Sequence, residues 1–513
     1  MNYADLFRMM LPETALEVAA LLVLVADLAF LRKAALRTRE TVAALLGVIG
    51  CGAALLLLPL QPSGGLTYPG STGLMLTTGG YTAIAQVGVL VLTVLTLLLL
   101  IGTEFTRHVG EYVAVVLMAA VGGLLISAAQ DLLVIFTGLE LLSLSLYILA
   151  AFAKQSGKSA EGAMKYYIFG AMSAAFLLFG FSYLYGLTGS TNLHEIMLAF
   201  YSTRVINSMP LVYVALVMIA AGLGFKVAAV PFHLWAPDTY EGAPAPAAAF
   251  IASVSKVASF ALLIGIGTAA AHVFGNLHEV HVVTFHNGPT PRFLGFGGPW
   301  SVIVALMAVA SMVFGNLAAL AQTSVRRLLA YSAIAHAGYI LLALAYFSHS
   351  TLSTNAVLYY ILTYGLTTVG AFGAVSVVER ITGSDRMDAF LGLYKRNGLL
   401  AGVMLVLFLS LAGIPPLVGF WAKFNLFAAV LQVNRGVAPF TIVALAVAMS
   451  AVSLYYYLQV LKRVFVMPAV DETPVKGTPA TMSVLVFIAL GVVVLGCLPG
   501  LLQSWMAGFY AAM

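Results

Sequence analysis

A chain of 513 residues with 62% hydrophobic and only 8% charged residues, and a mean hydropathy of +1.02, is not a soluble globule, for which about 25% charged residues would be expected. Its 24 Lys and Arg against 19 Asp and Glu leave a net charge of +5, which the loop pattern below assigns to one membrane rim rather than to nucleic-acid binding. Its two cysteines, Cys51 and Cys497, both lie in apolar stretches, which excludes a disulfide framework and a Cys-ligated iron–sulfur cluster.

Apolar runs of about 20 residues, separated by Gly, Pro or charged loops, predict about 14 transmembrane helices in an all-α polytopic membrane protein. The first, 12–30, follows Arg8 and carries Glu13, Glu17 and Asp27, so it reads as a retained span and not a cleaved signal. With 40–60 and 82–102 it forms an N-terminal unit, 1–110. Spans at 111–129, 131–152, 163–187, 211–235 and 243–271 form a second unit, 111–271. The segment 272–299 holds His272, His278, His281 and His286, but it has no cysteine and no helix-spaced H-E-x-x-H. It reads as a solvated loop rather than a metal site. Spans at 300–322, 326–347, 356–379, 399–431 and 438–463 form a third unit, 300–463, and 480–505 is the last.

Loops after odd-numbered spans carry sixteen Lys and Arg, from Arg32 and Lys33 through Arg326 and Arg327 to Lys476; the opposite loops carry four, Arg8, Arg204, Arg292 and Arg435. The bias places the rich side in the cytoplasm and both termini outside. A shift of 192 residues pairs Val121 with Val313, Gly123 with Gly315, Ala129-Gln130 with Ala321-Gln322 and Tyr147-Ile148-Leu149 with Tyr339-Ile340-Leu341. Spans 4–8 and 9–13 are therefore expected to be two five-helix copies, and an odd span number inverts the second. Inverted repeats of this kind build midplane sites from broken helices.

Each copy carries a break. In the first, Pro231, Pro237, Pro244 and Pro246 follow Lys226; in the second, Pro415-Pro416 precede Lys423. A proline removes a donor and frees a carbonyl one turn back, which hydrocarbon does not tolerate without enclosure or water.

Glu140, Lys165, Lys226, Lys256 and Lys423 are the ionisable groups within these spans that stand out. Each costs roughly 2.5–3.5 kcal/mol at a bilayer centre, so such groups face the bundle or a hydrated path. The bland reading is snorkelling, which suits Lys165 near its span end better than Lys226 or Lys256 deep in theirs. Lys165 is also the nearest basic partner for Glu140 by sequence. Burial disfavours a lysine's charged form and a carboxylate favours it, so a row of such groups linked by water forms a proton relay. His336, in Y-S-A-I-A-H-A-G-Y, adds either an intermediate station or a hydrogen-bonded structural residue. Ser332 stands where the repeat would put a second Glu140, so the halves are not equivalent.

Three segments carry a resemblance over nearly the whole chain: V-P-F-H-L-W-A-P-D-T-Y-E-G-A-P-A-P (230–246) with Ser255-Lys256, L-A-G-I-P-P-L-V-G-F-W-A-K-F (411–424) and S-L-Y-Y-Y-L (453–458). They resemble the antiporter-like, proton-pumping membrane subunits of bacterial respiratory complex I, a family related to Mrp-type cation/proton antiporters. The A-P-A-P-A-A-A-F stretch (243–250) is closer to N-type members than to the L and M paralogues. The resemblance implies a proton-translocating subunit of NADH:quinone oxidoreductase in the bacterial inner membrane. Glu140 and Lys226 would be a control pair with Lys165 as a further partner, Lys256 the central relay and Lys423 the terminal site. It also implies no cofactor on this chain. NADH, FMN, iron–sulfur clusters and quinone would sit on partner subunits, beside M- and L-type and small membrane subunits. The competing readings are an Mrp-type antiporter and a scaffold whose charges only pin helices.

Overall fold

A computed structural model describes residues 3–62, 64–67, 73–200, 202–275, 299–347, 351–433, 436–469 and 473–511. A chain crossing hydrocarbon must satisfy its own backbone, and helices do so within one segment. Accordingly the first part runs α1 (Tyr3–Met9), α2 (Leu11–Val25, continued by one π turn, Ala26–Phe30), α3 (Leu36–Leu57), α4 (Gly80–Leu100), α5 (Val109–Ala128), α6 (Leu132–Ala150) and α7 (Gly157–Thr188). Between α3 and α4 a small antiparallel hairpin, β1 (Leu66–Thr67) and β2 (Leu74–Leu76), interrupts the all-helical plan. The middle comprises α8 (Leu193–Ala199), α9 (Thr203–Ile206), α10 (Met209–Val227), α11 (Ala236–Gly242), α12 (Ala245–Ala252) and α13 (Val254–Gly275). The rest is α14 (Pro299–Leu320), α15 (Val325–Ala345), α16 (Thr351–Thr382), α17 (Leu393–Arg396), α18 (Gly398–Ala412), α19 (Val418–Val433), α20 (Val437–Phe465), α21 (Pro479–Cys497) and α22 (Pro499–Ala511).

Twelve described spans are long and apolar enough to cross a membrane, α12–α13 counting as one. The two other expected spans are present in pieces, 12–30 as α2 with its π turn and 399–431 as the pair α18–α19. The His-bearing stretch 272–299 lies almost wholly outside the described residues.

Hydrogen bonds between loops sort the two faces as the charge count does. On the basic face Arg39 holds Asp27, Glu40 takes the backbone N–H of Gly102 and Glu104, Arg380 reaches Gly102 O, and Gly392 N–H reaches Arg463 O. On the other face Gln61 reaches Met9 O, Gln130 N–H reaches Met75 O, and Leu132 N–H reaches Thr191 O.

The repeat is written in the same bonds. Thr188 Oγ1 donates to Leu184 O and Ser190 O, and Thr382 Oγ1 donates to Val378 O and Ser384 O, each around a T-G-S turn whose glycine has φ of +79° or +69°. Leu132 N–H to Thr191 O recurs as Val325 N–H to Asp385 O. The first set lies on the face opposite the basic loops and the second on the basic face, as inversion requires. A glycine contact repeats as well, between Gly122 and Gly315, one residue away from the Gly123–Gly315 match of the sequence shift. A Cβ on Gly122 would stand 2.6 Å from Leu142 N, and one on Gly315 would stand 2.6 Å from Ala335 N. Only glycine lets α5 meet α6, and α14 meet α15, backbone to backbone.

Residues 246–265 of the span Ala245–Ala270 are all buried. Its A-P-A-P-A-A-A-F start supplies the small side chains that allow α4, α6 and α16 to close around α12. Pro237 and Pro246 occupy first turns, where the missing N–H costs no helical bond, and Pro244 is the residue before α12. Of the four prolines expected to break the first copy, Pro231 and Pro244 fall in non-helical links, while Pro237 and Pro246 lie within helices.

On the basic face α11 is clamped from both repeats. Asp238 takes Lys165 at 2.6 Å and also Arg327; Glu241 takes Lys158 at 2.8 Å and Arg327 at 3.0 Å. Arg326 donates to Tyr240 O and Ala243 O, and its Nη1 lies 3.2 Å from Glu379. Burial raises the Asp238 and Glu241 carboxyls, but the hydrogen bonds from Lys165, Lys158 and Arg327 outweigh it and hold both below their ordinary values.

Two outcomes follow for stability. Gly315→Leu forces α14 from α15, and overpacking of this kind costs about 1–3 kcal/mol, so purified protein melts earlier than the parent. Arg327→Ala removes ties to two half-exposed carboxylates, a loss of about 1 kcal/mol after solvent screening. Because those carboxyls titrate lower folded than unfolded, their contribution is present above the unfolded range and is lost on acidification. The melting difference between Arg327→Ala and the parent is therefore full at pH 7 and shrinks as the pH falls through and below about 4.

Candidate functional site

The first half of the site sits where α10 ends. Lys226 is 8% exposed, and the chain turns immediately after it through Ala228, at φ +58°, and a cis Val230–Pro231 bond. The carbonyls that the interruption would free are taken up locally. Ala228 N–H reaches Phe225 O, Ala229 N–H reaches Gly224 O, and the Trp235 indole donates to Phe225 O at 3.1 Å. The Lys226 ammonium is thereby left to α6, where it donates to Ser143 Oγ, which in turn donates to Leu139 O. Glu140, half-buried, lies three residues before Ser143 on the same helix. No ion pair within 4.0 Å joins it to Lys226, yet its charge acts on that lysine.

Lys165 does not pair with Glu140. Its side chain is 40% exposed and bonds Asp238 and Glu161, at 2.6 and 2.7 Å. Asp238 is brought there by the short α11, which sequence position alone does not reveal, and so Lys165 belongs to the clamp on the basic face.

The centre of the site is Lys256, 3% exposed, in the first turn of α13. The buried stretch 246–265 is interrupted just before it at Ser253, whose hydroxyl donates to Ala249 O. This third interruption was not expected, because Ser253 offers no proline signal. Lys256 Nζ donates to Ala333 O on α15 at 2.6 Å. One turn further along α15, His336 is 4% exposed. Its Nδ1 is 2.7 Å from Tyr360 Oη and its Nε2 is 3.4 Å from Tyr457 Oη. The charges of Lys423 and Lys256 both act on this ring. Ser332 is bonded to the Tyr457 hydroxyl.

The second half reverses the arrangement of the first. Here α18 ends at Gly413 (φ +88°), a left-handed position that favours glycine, followed by the cis Pro415–Pro416 bond. Gly413 and Ile414 N–H satisfy Leu409 O and Ser410 O, leaving Leu411 O and Ala412 O. Lys423, 6% exposed, reaches back from α19 to those two carbonyls at 3.2 and 2.9 Å, and to Ser450 Oγ at 2.8 Å. A helix C-terminus carries partial negative charge, so the ammonium is bound electrostatically as well as by hydrogen bonds. The Gly413 Cα leaves room for this, since a Cβ there would meet Lys423 Cδ at 3.0 Å. A small cavity with room for about one water lies beside His336 and the end of α18, where the polar side chains of His336, Tyr360, Thr363, Thr367 and Ser410 meet an otherwise apolar lining that includes Leu411, Gly419 and Ala422.

The structure thus brings Glu140 and Lys226 to one locus and Lys256, His336 and Lys423 to another, and sets Lys165 apart. Sequence reasoning passed over Ser143, Tyr360, Tyr457 and Ser450, which receive or flank the charged groups. It also passed over Asp238 and Glu241, whose i, i+3 spacing was the available signal.

Residues 129–284 and 289–452 match the family described as NADH:quinone oxidoreductase/Mrp antiporter, TM. NADH-quinone oxidoreductase subunit N 2 of Acidobacterium capsulatum is 47% identical, covering 98% of this chain and 99% of that one. Subunit N 1 of Roseiflexus castenholzii is 40% identical over 83% of this chain and 78% of its own. Among solved structures, a chain of respiratory complex I from Thermus thermophilus superposes with a TM-score of 0.73 at 32% identity, covering 96% of this chain and 98% of that one. A chain of the Mrp complex from Dietzia sp. shares the fold, with a TM-score of 0.74 at 20% identity, over 98% and 97% of the two chains. The chain belongs to the antiporter-like membrane-subunit family of NADH:quinone oxidoreductase, among its N subunits.

Proposed function

We propose that this chain is a proton-translocating membrane subunit of an NADH:quinone oxidoreductase, in which electron transfer on partner subunits drives protons along its buried basic residues. One observation carries the reading: His336 is buried one turn along α15 from the Ala333 carbonyl that holds Lys256, and it lines, with Ser410, a small cavity at the end of α18, where Lys423 is bound. Groups that exchange protons must be close enough for one to sense the charge of the next. Glu140 and Lys226 form the control pair of the first half, with Ser143 between them. Lys256 is the central station, His336 the intermediate one and Lys423 the terminal site. Lys165 takes no part in the transfer and, as an ammonium paired with Asp238, holds α11 in place.

In this reading NADH, FMN, the iron–sulfur clusters and quinone are bound by partner subunits. The neighbours in the membrane are other antiporter-like and small membrane subunits. The basic face is cytoplasmic in the bacterial inner membrane, and both termini are periplasmic.

The decisive measurement is NADH-driven acidification of inverted vesicles at matched levels of assembled complex. Lys256→Ala lowers it roughly a hundredfold, the lower end of what a positioned acid–base group contributes; an assembled variant that pumps normally overturns the relay. Ion-gradient-driven proton exchange that persists without NADH oxidation would instead mark a stand-alone antiporter. For the orientation, alkaline phosphatase fused to the C-terminus is active and a green fluorescent protein in the same place is dark; the opposite pattern reverses the faces.

A further inference from the structure

His336 is buried, and each of its ring nitrogens faces a tyrosine hydroxyl from a different helix, Tyr360 on α16 and Tyr457 on α20. A proton arriving at or leaving this ring therefore meets a phenol first. The two phenols lead in different directions. Tyr457 is bonded to Ser332, the residue preceding Ala333, whose carbonyl holds the Lys256 ammonium. Tyr360 lines the cavity that runs to Ser410, Gly419 and Ala422 around the interruption where Lys423 is bound.

We propose that Tyr457 and Tyr360 are proton-carrying residues on either side of His336, with Tyr457 facing Lys256 and Tyr360 facing Lys423. The proposal rests on the relay reading above and adds two residues that carry no formal charge. In one passage Lys256 goes from ammonium to amine, swinging from Ala333 O to the adjacent Ser332 Oγ. Ser332 takes that proton while giving its own to Tyr457, and Tyr457 passes its phenolic proton to Nε2 of His336. The imidazolium then releases its Nδ1 proton to Tyr360 as Tyr360 gives its own to water in the cavity. One proton has moved, no phenolate persists, and nothing is oxidised or reduced. The second repeat has no carboxylate where the first has Glu140: the recurring contacts put Ala333 there. Ser332, next to it, supplies one end of the hydroxyl chain.

The arrangement also supplies its own control. Tyr359, beside Tyr360, is buried, and its hydroxyl has no partner among the described residues.

The test is proton pumping by the assembled complex in inverted vesicles with Tyr457→Phe and Tyr360→Phe, which keep the rings, against Tyr359→Phe and Lys256→Ala. The first two are expected to slow NADH-driven pumping roughly tenfold or more, with Tyr359→Phe close to the parent. Where Tyr457→Phe lowers assembly, Ser332→Ala breaks the same link from its other end and is expected to slow pumping likewise. If Lys256→Ala abolishes pumping while Tyr457→Phe and Tyr360→Phe pump normally, the hydroxyl links are overturned and the lysine relay stands. If Lys256→Ala, Tyr457→Phe and Tyr360→Phe all pump normally, the relay itself falls. Equal losses in all three tyrosine variants would mark a packing role and also overturn the proposal.

Discussion

An ammonium group within a hydrocarbon-spanning bundle must find oxygen, and the fold supplies it by interrupting helices. An intact α-helix consumes its own carbonyls and offers a buried lysine nothing. At the end of α18 two carbonyls are left over, and Lys423 takes both. At the end of α10 the carbonyls are consumed by backbone N–H groups and by Trp235, so Lys226 turns instead to Ser143. At Lys256 an interruption at Ser253 starts a new helix, and the lysine bonds a carbonyl of the neighbouring α15. Three buried cations are thus met in three different ways. The repeat conserves the plan of the helices but not the chemistry of their ends.

That asymmetry suits a path whose two halves do different work. The first half offers Lys226 a hydroxyl and a carboxylate, Glu140, whose charge reaches it without direct contact. The second offers no carboxylate in the equivalent place, and a group of hydroxyls and an imidazole occupies the space between its cations. Neutral hydrogen-bonding groups can stay buried between charges at far less desolvation cost than further ions would incur.

Much of this was legible in the amino-acid sequence, for identifiable reasons. The bilayer imposes a length and an apolarity on every span, so hydropathy located them, and alternation of loops turned sixteen against four basic residues into a sidedness. Pro415-Pro416 and Pro231 marked two interruptions because a missing N–H has a local structural cost. Ser253 left no such mark, and Pro237 and Pro246, which looked like breaks, begin helices. The partners of the charged groups were the least legible part. Lys165 was matched to Glu140 because their helices are consecutive, whereas α11 carries Asp238 to it across the basic face. Tyr360 and Tyr457 were indistinguishable from any aromatic residue of an apolar helix until the fold turned their hydroxyls toward His336. The T-G-S turns at 188–190 and 382–384 were a sharper sign of duplication than the apolar matches, because a left-handed glycine flanked by hydroxyls rarely recurs by composition alone.

The clamp on α11 joins the two copies mechanically. The short helix that follows Lys226 is held both by its own repeat, through Lys158, Lys165 and the Thr239 hydroxyl, and by Arg326 and Arg327, which open α15, the helix bearing Ser332, Ala333 and His336. A displacement of α11 accordingly pulls on the root of α15, and a tilt of α15 shifts the segment that follows Lys226. The two repeats share a lever at α11 that stands apart from the buried lysines.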